Sequence, residues 1–243
     1  TGRSTTTQLL FYLDKAIKTM VDGGVMDAIY FDFAKAFDTV PLRRLLLKLR
    51  AYGIDGKLHQ WIDSFLTDRS QTVVINGACS RKETVISGIP QGTVLGPLLF
   101  VVYINDLLDN VNSDGLLFAD DTKLFKRITS KDDAKSLQCD IDRLHEWSKT
   151  WLMRFHPDKC HVLTIGKFEN IQLAYRYNLG GIELEHIFSE KDIGVYIDSE
   201  LKFDEHISTK ARIANAIVGL IRRAFAYLDG QTFKKLFTSF VRP

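Results

Sequence analysis

Apolar residues recur at three- and four-residue spacing through Leu9, Leu10, Leu13, Ala16, Ile17 and Met20, which predicts a core-packed helix after Thr5-Thr6-Thr7, ending at Gly23-Gly24. Residues 25–33 then read as a buried strand that carries Asp32 near its C-terminal end. Two amphipathic helices follow over 42–52 and 56–66, with Leu45, Leu46 and Leu49, then Leu58, Trp61, Ile62 and Phe65, as their apolar faces. Residues 71–75 and 82–86 are strand-like and joined through Asn76-Gly77, a hairpin signal. A Gly/Pro-rich loop over 87–99 runs into an apolar helix that reaches about Leu108. Beyond it come a strand pair over 115–125, a helix over 131–149, strands over 160–165, 171–177 and 192–198, and a turn at Gly180-Gly181. A long helix capped by Asp204 and a second over 232–241 close the chain. Alternating long helices and paired strands make this an α+β chain with a helical C-terminal part after about Ser199.

Against that pattern some acids are out of place. Gly115-Leu-Leu-Phe-Ala-Asp-Asp-Thr-Lys-Leu-Phe125 holds two apolar, β-prone runs joined at Ala119-Asp120-Asp121, which places adjacent carboxylates at a hairpin tip. With 22 Asp in 243 residues chance alone gives about two Asp-Asp pairs, and two occur, so context must separate them. Asp132-Asp133 follows Ser130 and opens a helix, where first-turn carboxylates answer the helix dipole. Asp120-Asp121 interrupts a strand pair, and carboxylates on a rigid turn are what hard divalent cations take as ligands beside substrate phosphates. Asp32 sits among apolar neighbours, where a lone carboxylate costs on the order of several kcal/mol. A cap on the turn Ala34-Lys35-Ala36 accounts for it as well as a metal does.

Composition changes this picture little. The chain is 45 % apolar and 26 % charged, with a formal charge of +2, which is ordinary globular composition and weak guidance to partners. Cys79, Cys139 and Cys160 lie far apart, so neither a disulfide framework nor a Cys-x-x-Cys site is indicated, and a reducing compartment fits. His156, Cys160 and His161 lack a fourth ligand at zinc spacing. No apolar run approaches the roughly 18–20 residues of a membrane span. Lys210, Arg212, Arg222, Arg223, Lys234 and Lys235 form basic faces on the last helices, either a solvated surface or one that tracks phosphates. The chain opens at Thr1 and stops inside a helical pattern, as expected of part of a longer protein.

In this order, Tyr30-Phe-Asp-Phe-Ala-Lys-Ala-Phe-Asp-Thr-Val-Pro41, Gly88-Ile-Pro-Gln-Gly-Thr-Val-Leu-Gly-Pro-Leu98 and Phe118-Ala-Asp-Asp121 closely resemble three successive motifs of reverse transcriptases. Gly2-Arg-Ser-Thr5, Pro157-Asp-Lys-Cys160 and Ile193-Gly-Val-Tyr-Ile-Asp198 resemble segments of the non-LTR (LINE-type) retrotransposon enzymes. The resemblance spans nearly the whole chain. It implies an α+β right-hand polymerase palm, a mixed or antiparallel sheet with packed helices, and a C-terminal helical thumb. Residues 1–24 would be a remnant of the fingers with its lead-in helix, 25–199 the palm and 200–243 the start of the thumb.

The implied activity is RNA-directed DNA synthesis, in which dNTPs are added to a primer 3′-hydroxyl by two Mg²⁺ ions, Mn²⁺ being the alternative metal. The implied partners are an RNA template, a DNA primer or target and dNTPs, without a membrane, and the implied location is intracellular, nucleus and cytoplasm. By motif match the metal ligands are Asp32, Asp120 and Asp121 with the carbonyl of Phe33. The strand that carries Asp32 must then lie beside the 116–125 hairpin. Phe37 matches the bulky side chain that collides with a ribose 2′-hydroxyl, a core phenylalanine being its plain alternative. Gln91 and Gly92 match the loop that contacts the incoming nucleotide and template. Lys159 resembles the lysine that protonates or screens the pyrophosphate, and a surface lysine is its plain alternative. Arg3 is the remnant of the basic fingers that hold the triphosphate.

The fingers upstream of Gly2 and an endonuclease are expected elsewhere, so this stretch alone is expected to polymerise weakly or not at all. His156 stands where many family members have Asn. A relic or domesticated fragment that binds RNA or protein without catalysis is a second reading, which divalent-metal binding separates from the first. A different two-metal phosphotransferase would share Asp32 and Asp120 but has no need of the 88–98 loop or of Phe37.

Overall fold

Ser4 opens the first helix with a capping box, its hydroxyl accepting the Thr7 N–H while its own N–H donates to the Thr7 hydroxyl at 2.7 Å. The structure, a computed structural model, describes residues 4–166, 175–225 and 227–242. Helix α1 (Thr5–Val21) buries only a narrow stripe, Tyr12, Ala16 and Thr19. Leu10, Phe11, Ile17 and Val21 are exposed, so the helix is not core-packed on the broad face expected of it. Residues spaced four and three apart meet the sheet, and the rest of the apolar arc lies beyond that contact.

Strand β1 (Val25–Phe31) follows, then α2 (Ala36–Thr39), α3 (Leu42–Ala51) and α4 (Gly56–Leu66). The expected hairpin is two short ladders, β2 (Ser70–Gln71) with β5 (Glu83–Thr84) and β3 (Val74–Ile75) with β4 (Ala78–Cys79). Between them the Val73 N–H turns to the Ser80 hydroxyl at 3.0 Å, and Asn76-Gly77 closes the tip with φ of +50° and +82°. Then come α5 (Leu95–Ile104), β6 (Asp114–Phe118), β7 (Asp121–Ile128) and α6 (Lys131–Trp151). Asp132 and Asp133 stand in the first turn of α6, as expected, and Asp133 also closes a capping box with Ser130.

After a 3-10 turn at Pro157–Lys159 come β8 (His161–Ile165), β9 (Asn178–Leu179), β10 (Ile182–Glu183) and β11 (Glu185–Ile187). The strand expected over 171–177 lies largely outside the described residues, and 175–177 are irregular. Residues 192–198 are not one strand but the second half of a hairpin, β12 (Ser189–Asp192) and β13 (Val195–Asp198), turned by Ile193-Gly194 at φ +46° and +86°. Helix α7 (Asp204–Ala224) starts at Asp204 without a side-chain cap. Asp198 instead accepts the N–H groups of Glu200, Lys202 and Phe203 just before it. Asp229 caps α8 (Gly230–Leu236), which a π turn, Phe237–Val241, prolongs.

The chain forms two compact units, Thr1–Ile187 and Phe188–Pro243. In the first, a five-stranded mixed sheet runs in the order β11-β8-β1-β7-β6, antiparallel except for the parallel pair β11 and β8. Side chains alternate across it. Ile29 and Leu124, opposite each other, face the main core with Leu99, Phe100, Leu137 and Leu144, whereas Phe125 turns to the other face and meets Tyr12 of α1 edge-on at 5.0 Å. In the second unit the β12–β13 hairpin packs on α7, which buries only Ile221.

Candidate active site

Strand register brings the expected acids to one end of the sheet. Phe31 pairs with Thr122 and Phe118 pairs with Asp121, so Asp32 leaves β1 beside the first residue of β7, as the resemblance requires. The loop between β6 and β7 is the two residues Ala119 and Asp120, with Ala119 held at φ +50°. Asp121 is therefore the first strand residue rather than part of the tip. Asp120 and Asp121 are exposed and Asp32 is half-buried. The root of this hairpin is fixed by Asp140, fully buried on α6, which accepts the Asn112 and Ser113 N–H groups at 3.1 and 2.8 Å and pairs with Arg143 at 2.6 Å.

Asp32 is held from the other side. The Tyr30–His161 pair is the last of the β1–β8 ladder, because Pro157–Lys159 coils away as a 3-10 turn. Pairing resumes one turn earlier in the chain. His156 N–H donates to the Asp32 carbonyl at 2.8 Å, Ala34 N–H donates to the Arg154 carbonyl at 2.8 Å, and Phe33 bridges to Phe155. The two rings stack at 4.5 Å. In such a non-hydrogen-bonded pair the Phe33 carbonyl points away from Phe155, toward the side on which β7 lies. In the gap, the Asp32 N–H meets the Cys160 sulfur at 3.4 Å. Burial pushes that thiol up to about 11, so it is a neutral partner.

Among the described residues the Asp32 and Asp120 carboxylates make no hydrogen bond or ion pair. Carboxylate and carbonyl oxygens without a protein cation in attendance are the donors a hard divalent ion takes, so the residues present fit Mg²⁺ by chemistry. Also among the described residues, no three His, Cys, Asp or Glu side chains stand close enough to hold an ion.

The second expected motif folds against the first. Ile89 N–H donates to the Phe37 carbonyl at 2.8 Å and Gly88 N–H to the Val40 carbonyl at 2.9 Å. At Gly88, with φ +88°, a Cβ would stand 2.7 Å from the Asp38 carbonyl oxygen, so only glycine lets this loop meet α2. Gln91 donates its amide to Asp38 Oδ1 at 2.9 Å. Gly92 needs its φ of +77° but faces open space. Phe37 is half-buried against the core and stacks on Phe100 at 4.5 Å. Arg69 bonds the Gly88 and Leu66 carbonyls, and with Lys35, Asp38, Gln71 and Gln91 it lines a groove of about 850 Å³. Burial pulls its pKa down.

Lys159 is exposed at the end of the 3-10 turn, and Arg3 lies outside the described residues. Sequence reading missed Asp38, Arg69, Asp140 and Cys160. Asp38 had a local signal, a second acid six residues after Asp32. The others had none, since the site segments they hold, at Gly88, Ser113 and Asp32, are 19, 27 and 128 residues away.

Over residues 11–213 the chain matches the family described as reverse transcriptase (RNA-dependent DNA polymerase). It is 28% identical over 210 residues to the RNA-directed DNA polymerase from mobile element jockey of Drosophila melanogaster, covering 83% of this chain and 23% of that one. The Drosophila funebris jockey counterpart is 30% identical, with 74% and 20% covered. A retrovirus-related Pol polyprotein from type-1 retrotransposable element R2 of Popillia japonica is 28% identical, with 57% and 24% covered. The chain thus spans 20% to 24% of the length of these curated relatives. Telomerase from Candida tropicalis, solved in complex with a TWJ fragment of telomeric RNA, superposes with a TM-score of 0.56 at 12% identity, covering 87% of this chain and 36% of that one. That likeness shows the fold, a reverse transcriptase- and telomerase-like mixed sheet with packed helices. The chain belongs to the reverse transcriptase family, and its relatives are the RNA-directed DNA polymerases of LINE-type, non-LTR elements.

Proposed function

We propose that this chain is the catalytic core of a non-LTR retrotransposon polymerase that copies an RNA template into DNA from a primer 3′-hydroxyl. The observation that carries the reading is the register that sets Asp32 beyond Phe31–Thr122 and Asp120-Asp121 beyond Phe118, at one end of paired strands. Asp32, Asp120 and Asp121, with the Phe33 carbonyl, would hold two Mg²⁺ ions, or Mn²⁺. When bound they would activate the primer hydroxyl and offset charge on the triphosphate.

The chain's own residues do the positioning. Asp38 takes the Gln91 amide, which leaves Gln91 Oε1 to accept from the incoming nucleotide or the template base, with Gly92 bringing the backbone close. The Phe37 ring, braced by Phe100, would stand against the sugar and exclude a 2′-hydroxyl. Lys159 would give a proton to, or screen, the departing pyrophosphate, and Arg3 would contact the triphosphate. In this reading 25–199 is the palm, 1–24 belongs to the fingers, and 200–243 opens a thumb whose basic helix faces follow the template–primer duplex. Its setting is intracellular, in the nucleus and cytoplasm. Among the described residues no helix is long and apolar enough to cross a membrane.

The test is Mg²⁺-dependent dNTP incorporation on an RNA template. The chain is assayed alone and joined to the upstream segment of a jockey-type relative, each beside its Asp120→Ala variant. The joined chain is expected to incorporate and its variant is not, while the chain alone extends primers weakly at best. Incorporation that survives Asp120→Ala overturns the assignment. One observation favours a non-catalytic RNA- or protein-binding fragment, namely that no three candidate ligands among the described residues stand together. Under that reading Mn²⁺ binding is the same with and without Asp120.

A further inference from the structure

Behind the segment that holds Asp32 lies a cavity of about 460 Å³ between the last two turns of α6, residues 152–157 and the β9–β10 turn. That is the size of sites that enclose small organic molecules. Its floor is Phe155 and Leu179, both buried, and its mouth is Leu152 and Ile182, each 50% exposed. His145, Lys149 and Arg154 add basic groups, and no carboxylate is among its lining residues. Lys149 does pair with Glu146 at 2.8 Å, but both are well exposed and such pairs are weak.

Two backbone positions are bent to build this cavity. Leu152 ends α6 at φ +56°, where helices ordinarily place glycine or asparagine. A leucine kept in a strained conformation with half its side chain in solvent is poorly explained by packing alone. Across the mouth, the His145 ring lies against Gly180, whose φ is +61°, so closely that a Cβ there would stand 2.5 Å from Cε1 and the ring would have to move.

The same wall holds the candidate catalytic acid. Arg154 accepts the Ala34 N–H, Phe155 stacks on Phe33, and His156, set between the lining residues Phe155 and Pro157, donates to the Asp32 carbonyl. A body seated on Phe155 and Pro157 therefore presses on the residues that fix the Asp32 backbone.

We propose that this cavity binds an amphipathic organic anion, an apolar or aromatic body with one sulfonate, carboxylate or phosphate, and that its occupancy restrains the 154–156 segment behind Asp32. The apolar floor takes the body and the cationic rim takes the charge. Binding does not depend on the polymerase reading, and neither readout below needs catalysis.

The probe is 8-anilinonaphthalene-1-sulfonate, titrated against the chain by fluorescence while backbone hydrogen exchange is followed. One saturable site is expected. The exposed pair Lys149→Glu with Arg154→Glu should weaken it at least tenfold, and Ile182→Trp should block it, with both variants melting as the parent does. Bound probe should slow exchange of the His156 and Ala34 amides. The uncharged analogue N-phenyl-1-naphthylamine should bind at least tenfold more weakly. The site is overturned if the saturable component survives both folded variants, the anion class if the uncharged analogue binds equally, and the coupling if saturation leaves the His156 amide unchanged.

Discussion

The Asp32 N–H is met by the sulfur of Cys160, 3.4 Å away and fully buried, at the point where the β1–β8 ladder breaks. A soft, long acceptor thus stands where a strand would supply a carbonyl. Cys160→Ser keeps an acceptor, whereas Cys160→Val leaves the N–H buried without one, at about 1–3 kcal/mol. Urea unfolding is expected to rank the parent and the serine variant above the valine variant by that margin. A valine variant as stable as the serine variant would remove any role for the contact.

Lys48 is buried at 3% exposure, with its ammonium on the Tyr103 carbonyl at 2.6 Å, beside the Asp106 carboxylate and 3.8 Å from the Trp151 ring centroid. Burial pulls its pKa down and Asp106 pushes it back up. Lys48→Met strands Asp106, which among the described residues keeps only the Trp147 indole donor at 2.9 Å, and is expected to cost about 3 kcal/mol. Lys48→Met with Asp106→Leu should recover part of that loss, because an apolar pair needs no compensation. Additive losses in the double variant would show that the two groups are not coupled.

How far the sequence went depends on the range of the partner. The hairpin turn at Ala119-Asp120, the acidic first turn of α6 and the 56–66 helix are set by neighbours within a few residues, and each lies within a residue of where periodicity or turn chemistry placed it. The exposed arc of α1 was misjudged because periodicity marks an apolar face but not how much of it a sheet covers. The 192–198 segment was read as one strand because its turn, Ile193-Gly194, puts a β-branched residue at φ +46°, which local preference argues against. Cys160 and Asp140 were invisible as positioning residues, since the Asp32 and Ser113 backbone groups they hold lie 128 and 27 residues away.

Asp133 sets a pH dependence for the start of α6. Hydrogen bonds from the Thr129 hydroxyl and N–H, with those of Ser130, hold its carboxyl at about 2, against an ordinary 3.8. A carboxyl depressed in the folded state stabilises above its unfolded pKa, and that contribution is lost as pH falls from about 4 through about 2. Amide exchange in the first turn of α6 should therefore accelerate over that window. Asp133→Asn should flatten the response, and an unchanged profile in the variant would assign the acid sensitivity elsewhere.

Gly88 ties the two halves of the candidate site, so its substitution tests both fold and function. Gly88→Ala adds a Cβ that would sit 2.7 Å from the Asp38 carbonyl oxygen, at a φ of +88° that alanine resists. Relief requires the 87–91 loop to lift from α2, which breaks the Gly88–Val40 and Ile89–Phe37 bonds and moves Gln91 off Asp38. The expected cost is about 2–4 kcal/mol in urea unfolding, from strain together with lost hydrogen bonds. Phe37, whose backbone the loop clamps, should lose its fixed place against Phe100. In a chain competent for synthesis, discrimination against ribonucleotides should then fall along with dNTP affinity. A Gly88→Ala protein with parental stability and parental sugar selectivity would show that the loop is not what holds Phe37 in place.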